Sequence, residues 1–86
     1  MKTTLERTLA KALTEIVIRL DLSDDDVIRP EATMEVLEPV IALLQRLPGQ
    51  DRQALADLIS QFAHRETDPE RQLTVIEAPE TLGLLA

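Results

Sequence analysis

The stretch Thr3–Leu20, TTLERTLAKALTEIVIRL, decides the reading of the fold. Leu5, Leu9, Leu13, Ile16, Val17 and Leu20 recur at spacings of three and four, while Lys11, Glu15 and Arg19 fall on other faces. That is the period of an amphipathic helix, whose apolar stripe faces a core. Thr3 and Glu6 stand at capping-box spacing: the Thr3 hydroxyl accepts from the backbone three residues on, and the Glu6 carboxylate reaches back. The helix is therefore expected to begin near residue 4.

Working outward, Asp21 to Asp26 breaks this pattern. Ser23 followed by Asp24, Asp25 and Asp26 places an N-cap and negative charge where a short helical turn anchored by Val27 and Ile28 would start. Pro30 disfavours helical geometry at Arg29 but suits the first position of a new helix. Met34, Val36, Leu37, Val40, Ile41, Leu44 and Leu47 trace its stripe. Pro39 lacks an N–H and crowds the Glu35 carbonyl, so one long helix kinked between Glu35 and Pro39 is expected.

Pro48-Gly49 is the clearest turn, and the short span to Asp51 predicts an antiparallel helix hairpin. Leu55, Leu58, Ile59 and Phe62 form the next stripe. Asp68 as N-cap with Pro69 at the first helical position starts another helix, with Leu73 and Ile76 on its buried side. Thr74-Val75-Ile76 is β-branched, so residues 73–86 read either as a short helix or as an extended tail. Ala78-Pro79 sets off a last piece whose Leu82, Leu84 and Leu85 either pack back or meet a partner. No internal repeat is present, and 86 residues make a single domain, 1–86. The expected fold is all-α: a small bundle of three to four helices.

Sixteen acidic residues against nine Lys and Arg give a formal charge of −7. The charge is segregated: +2 over residues 1–20, −6 over 21–40, +1 over 41–65 and −4 over 66–86. This balance argues against direct contact with nucleic acid or an anionic membrane and favours a basic partner. The longest apolar run, Val40–Leu44, is far short of a membrane span, and no apolar leader segment follows Met1-Lys2, so a cytoplasmic protein is expected.

Asp24, Asp25, Asp26, Glu31, Glu35 and Glu38 make one acidic block and the candidate partner-binding face. Glu66, Asp68 and Glu70 belong to a second block and form the alternative patch. On a helix Glu31, Glu35 and Glu38 share one side, which costs local stability unless something outside the chain favours it. Solvation and helix-start dipoles offer a plainer account of both blocks at comparable odds.

Catalytic chemistry finds little support. His64 is the only histidine, Ser23 and Ser60 are the only serines, and Cys and Tyr are absent. A Ser60–His64 pair at i,i+4 would still need an orienting acid, so His64 is better read as a cation near a helix C-terminus. The three consecutive aspartates lack the glycine and terminal glutamate of a calcium loop, and both glycines sit at turns, so no metal site, phosphate loop or cofactor is expected.

The C-terminal residues Glu66-Thr67-Asp68-Pro69-Glu70-Arg71-Gln72 and Pro79-Glu80-Thr81-Leu82-Gly83-Leu84 resemble the endings of small acidic immunity proteins that bacteria pair with polymorphic toxins. The likeness covers about the last third of the chain. It implies a non-catalytic inhibitor that occludes the active site of a cognate toxin through an acidic face. The aromatic anchors of the colicin-nuclease inhibitors have no counterpart, since Tyr and Trp are absent, so no contact residue carries over. Two other functions fit the composition: a structural or oligomerisation adaptor forming a homodimeric bundle through Leu82, Leu84 and Leu85, and an acidic mimic of DNA.

Overall fold

In a computed structural model, which describes residues 4–22 and 29–85, all regular structure is helical: α1 (Thr4–Asp21), α2 (Pro30–Leu44), α3 (Gly49–Ala63) and α4 (Pro69–Thr81). The Thr3 cap and the turn expected over Ser23–Ile28 lie outside the described residues.

Helix starts follow local chemistry. Arg29 is held extended (φ −74°, ψ 149°) before Pro30, which occupies the first turn of α2 where its missing N–H costs nothing. Pro48 precedes α3, and its carbonyl accepts from the Asp51 and Arg52 amides, both at 3.0 Å. Asp68 caps α4, its Oδ1 accepting from the Glu70 amide at 2.9 Å, with Pro69 in the first turn. Both interior prolines are tolerated: α2 runs through Pro39 as one helix, and α4 runs through Pro79. The C-terminal segment is thus helical to Thr81, without the separation expected at Ala78-Pro79.

Beyond α4 the chain folds back. Gly83 adopts φ +70°, the Gly83 amide donates to the Glu80 carbonyl (3.0 Å), and the Leu84 amide donates to Pro79 (2.9 Å). These two bonds make a Schellman closure, and Leu84 and Pro79 at its two ends are both buried. Leu82 and Leu84 are core residues, so they do not form the exposed docking strip that the dimeric reading placed there; only Leu85 is exposed.

The tightest packing joins α3 to α4 and α1 to both. On this three-helix unit α2 lies through buried Leu37 and partly buried Val40, Ile41 and Leu44. Ile18, Val17, Ile59, Val75 and Leu82 are its largest fully buried apolar side chains. Full burial of such a side chain contributes about 1.5–3 kcal/mol.

Two helices are rotated from their expected faces. On α1 the buried residues are Ala10, Thr14, Val17 and Ile18, whereas Leu5, Leu9 and Ile16 are 68%, 61% and 52% exposed. Small side chains let the α1 backbone come close to its neighbours, and the Thr14 hydroxyl is satisfied by donating to the Ala10 carbonyl at 2.8 Å. On α4, Thr74, Val75, Ala78 and Pro79 face inward, while Leu73 and Ile76, the expected buried pair, are exposed.

Candidate interaction faces

Glu31, Glu35 and Glu38 lie one turn apart on α2, all exposed, on the side turned away from Leu37, Val40 and Leu44. None of the three forms an ion pair or hydrogen bond with the described residues. Each like-charged neighbour pair at this spacing costs a few tenths of a kcal/mol, and no cation along α2 offsets it. Exposed Met34, Val36 and Leu43 flank the acidic strip and add apolar area to the outer surface of the helix. Asp24, Asp25 and Asp26, the remainder of the first block, lie outside the described residues.

The second block is differently employed. The Glu66 carboxylate pairs with Arg71 (Oε2 to Nε, 3.3 Å), Asp68 caps α4, and Glu70 sits exposed in the first turn of that helix. Two of its three members are thus held by contacts within the chain.

Arg71 also reaches across to α1, its Nη2 lying 2.8 Å from Glu15 Oε1, while Glu15 Oε2 accepts from Arg19 Nε at 3.0 Å. Hydrogen bonds donated by Arg71 and then Arg19 hold the Glu15 carboxyl below the usual carboxylate range, and the bonds that Arg71 donates to Glu15 and to Glu66 raise Arg71. The side chains remain partly open to solvent, so water screens this network.

Ser60 and His64 are both exposed and border a depression of about 220 Å³ with Ala63, Gln72 and Ile76. None of these residues is a carboxylate able to orient the imidazole. His64 is the C-cap of α3, beside the carbonyl end of the helix dipole.

Two further faces escaped the sequence pattern. One is an apolar groove of about 490 Å³ where Leu9 and Leu13 of α1 approach Leu44, Leu47 and Leu55. The other is a cleft between α1 and the end of α3, where Lys11 Nζ sits 5.1 Å from the centroid of the Phe62 ring. A helical wheel drawn for charge as well as apolarity brings Arg7 and Lys11 to one side of α1, which is the signal for the cleft; only packing reveals Arg65 opposite them.

Among the described residues no helix is long and apolar enough to cross a membrane, and no cluster of three or more His, Cys, Asp or Glu is arranged to hold a metal. Comparison with known protein families, curated proteins and solved structures finds no match to this chain.

Proposed function

We propose that this chain is a non-catalytic binding protein that engages a basic protein partner through α2, most concretely an immunity protein that occludes a cognate toxin in the cytoplasm. The observation that carries this reading is the exposed row Glu31, Glu35 and Glu38, which the described residues leave without a counter-charge. Aligned carboxylates speed encounter with a cationic surface, and adjoining Met34, Val36 and Leu43 provide desolvated contact that slows release.

The test is affinity for a toxin encoded beside this protein, measured for the parent chain and for the triple variant Glu31→Lys, Glu35→Lys, Glu38→Lys. A loss of about a hundredfold or more, with helicity retained, is expected. Equal affinity removes α2 from the interface.

A second reading, a homodimeric adaptor, is favoured by one observation: Leu5, Leu9 and Ile16 form an exposed apolar side of α1. Sedimentation separates the two. A dimer that Leu9→Glu with Ile16→Glu converts to monomer supports the adaptor, and a monomeric parent chain supports the inhibitor.

A further inference from the structure

The chain is acidic overall, yet Arg7, Lys11 and Arg65 line one cleft of about 660 Å³ between α1 and the end of α3. The two carboxylates on the cleft wall are already committed, Glu15 to Arg71 and Arg19, and Glu66 to Arg71. Among the described residues Arg7 meets only a neutral partner, its Nη1 donating to Gln61 Oε1 at 3.4 Å. Lys11 rests over the Phe62 ring, and neither Lys11 nor Arg65 forms an ion pair with the described residues. Three cations therefore share a recess in which no anion among the described residues is left to neutralise them.

The rest of the lining defines what would fit. Thr4 and Thr8 add hydroxyls at the α1 side, while Ala12 and Phe62 make the wall largely apolar. Two guanidinium groups match the planar or tetrahedral oxygens of a carboxylate or phosphate, and an ammonium adds an adjustable point charge. The volume falls within the range of about 300–1,000 Å³ typical of small-molecule sites. A long polyanion would instead meet the acidic remainder of the surface.

We propose that this cleft binds a small amphiphilic oxyanion, its phosphoryl or carboxyl head held by Arg7, Lys11 and Arg65 and its apolar body resting on the wall at Ala12, beside the Lys11-covered Phe62 ring. This site is separate from the acidic row on α2 and does not depend on the inhibitor reading.

Titration of the isotope-labelled protein with phenyl phosphate, benzoate and, as a neutral control, phenol tests the proposal without any toxin present. Saturable amide shifts centred on residues 7, 8, 11, 62 and 65 are expected with the acids and not with phenol. The stronger acid identifies the head group as phosphoryl or carboxyl. Lys11→Gln with Arg65→Gln weakens binding by about tenfold or more with helicity unchanged, each single change weakens it by less, and Arg46→Gln, away from the cleft, leaves it intact. Shifts that do not saturate, shifts scattered over the surface, or equal affinity in the double and single variants would overturn it.

Discussion

Arg71 of α4 and Glu15 of α1 meet at 2.8 Å, joining helices whose residues stand 56 positions apart in the chain. The same guanidinium holds Glu66 just before α4, so one side chain ties the start of the last helix to the middle of the first.

Glu15 has a carboxyl held below its usual value of 4.5, so it contributes stability that is fully present above that pH and is lost as pH falls through its lowered folded value. Glu15→Gln is therefore expected to melt at a lower temperature than the parent at neutral pH, with the gap closing as the pH is taken below 4.5 and through the lowered folded value. Thermal melts of both proteins across this range check it; a gap independent of pH would show that the carboxylate charge is not its source.

Burial separates two apolar positions that look alike in sequence. Ile59→Ala empties a fully enclosed site on α3 and should cost about 2–5 kcal/mol in denaturant titration. Leu9→Ala removes a side chain that is mostly in water and should change stability by no more than about 0.5 kcal/mol in a monomer.

Gly83 stands at φ +70°, and a Cβ there would lie 2.8 Å from Gln45 Nε2 and 3.2 Å from Ile41 Cγ2. Gln45 Nε2 donates to the Gly83 carbonyl, so the crowding disturbs the contact that fastens α2 to the C-terminal turn. Gly83→Ala should destabilise by about 1–2 kcal/mol from the left-handed backbone alone. Calorimetry measures the total, and a neutral result would show that the Schellman closure does not hold in solution.

Removing the Asp68 cap leaves the Glu70 amide without its acceptor. Asp68→Ala should lower stability by about 0.5–2 kcal/mol, while Asp68→Ser retains most of it. Amide exchange confined to the first turn of α4 locates the effect.

Much of the fold was readable because starts and stops are written in backbone chemistry. Pro30, Pro48-Gly49 and Asp68-Pro69 each mark the helix start they predict. Helix rotation was not readable in the same way. Ala10 and Thr14 carry almost no hydrophobic signal, yet close approach to α3 and α4 selects them, and Leu5, Leu9 and Ile16 of the louder stripe turn outward while Leu13 and Leu20 stay at the edge of the core. The same conflict on α4 places Thr74 and Val75 inside and Leu73 and Ile76 outside. Ala78-Pro79 reads as a break because proline offers no N–H to the Val75 carbonyl, yet α4 continues through it to Thr81, and the Pro79 carbonyl accepts from the Leu84 amide in the closing turn. The acidic row on α2 followed directly from spacing. The cationic cleft did not, since Arg7 and Arg65 are brought together only by the packing of α1 on α3.

The inward face of α1 inverts the usual relation between greasiness and replaceability. Ala10 and Thr14 have room for little more than their present volume, so enlarging either would lever the helix off its neighbours, whereas Leu5, Leu9 and Ile16 accept varied substitutes as far as folding is concerned. A mutational scan of α1 scored for folding would therefore rank Ala10 and Thr14 above Leu5, Leu9 and Ile16 as the positions least open to change, and any intolerance at those three would report an external demand on that side of the molecule.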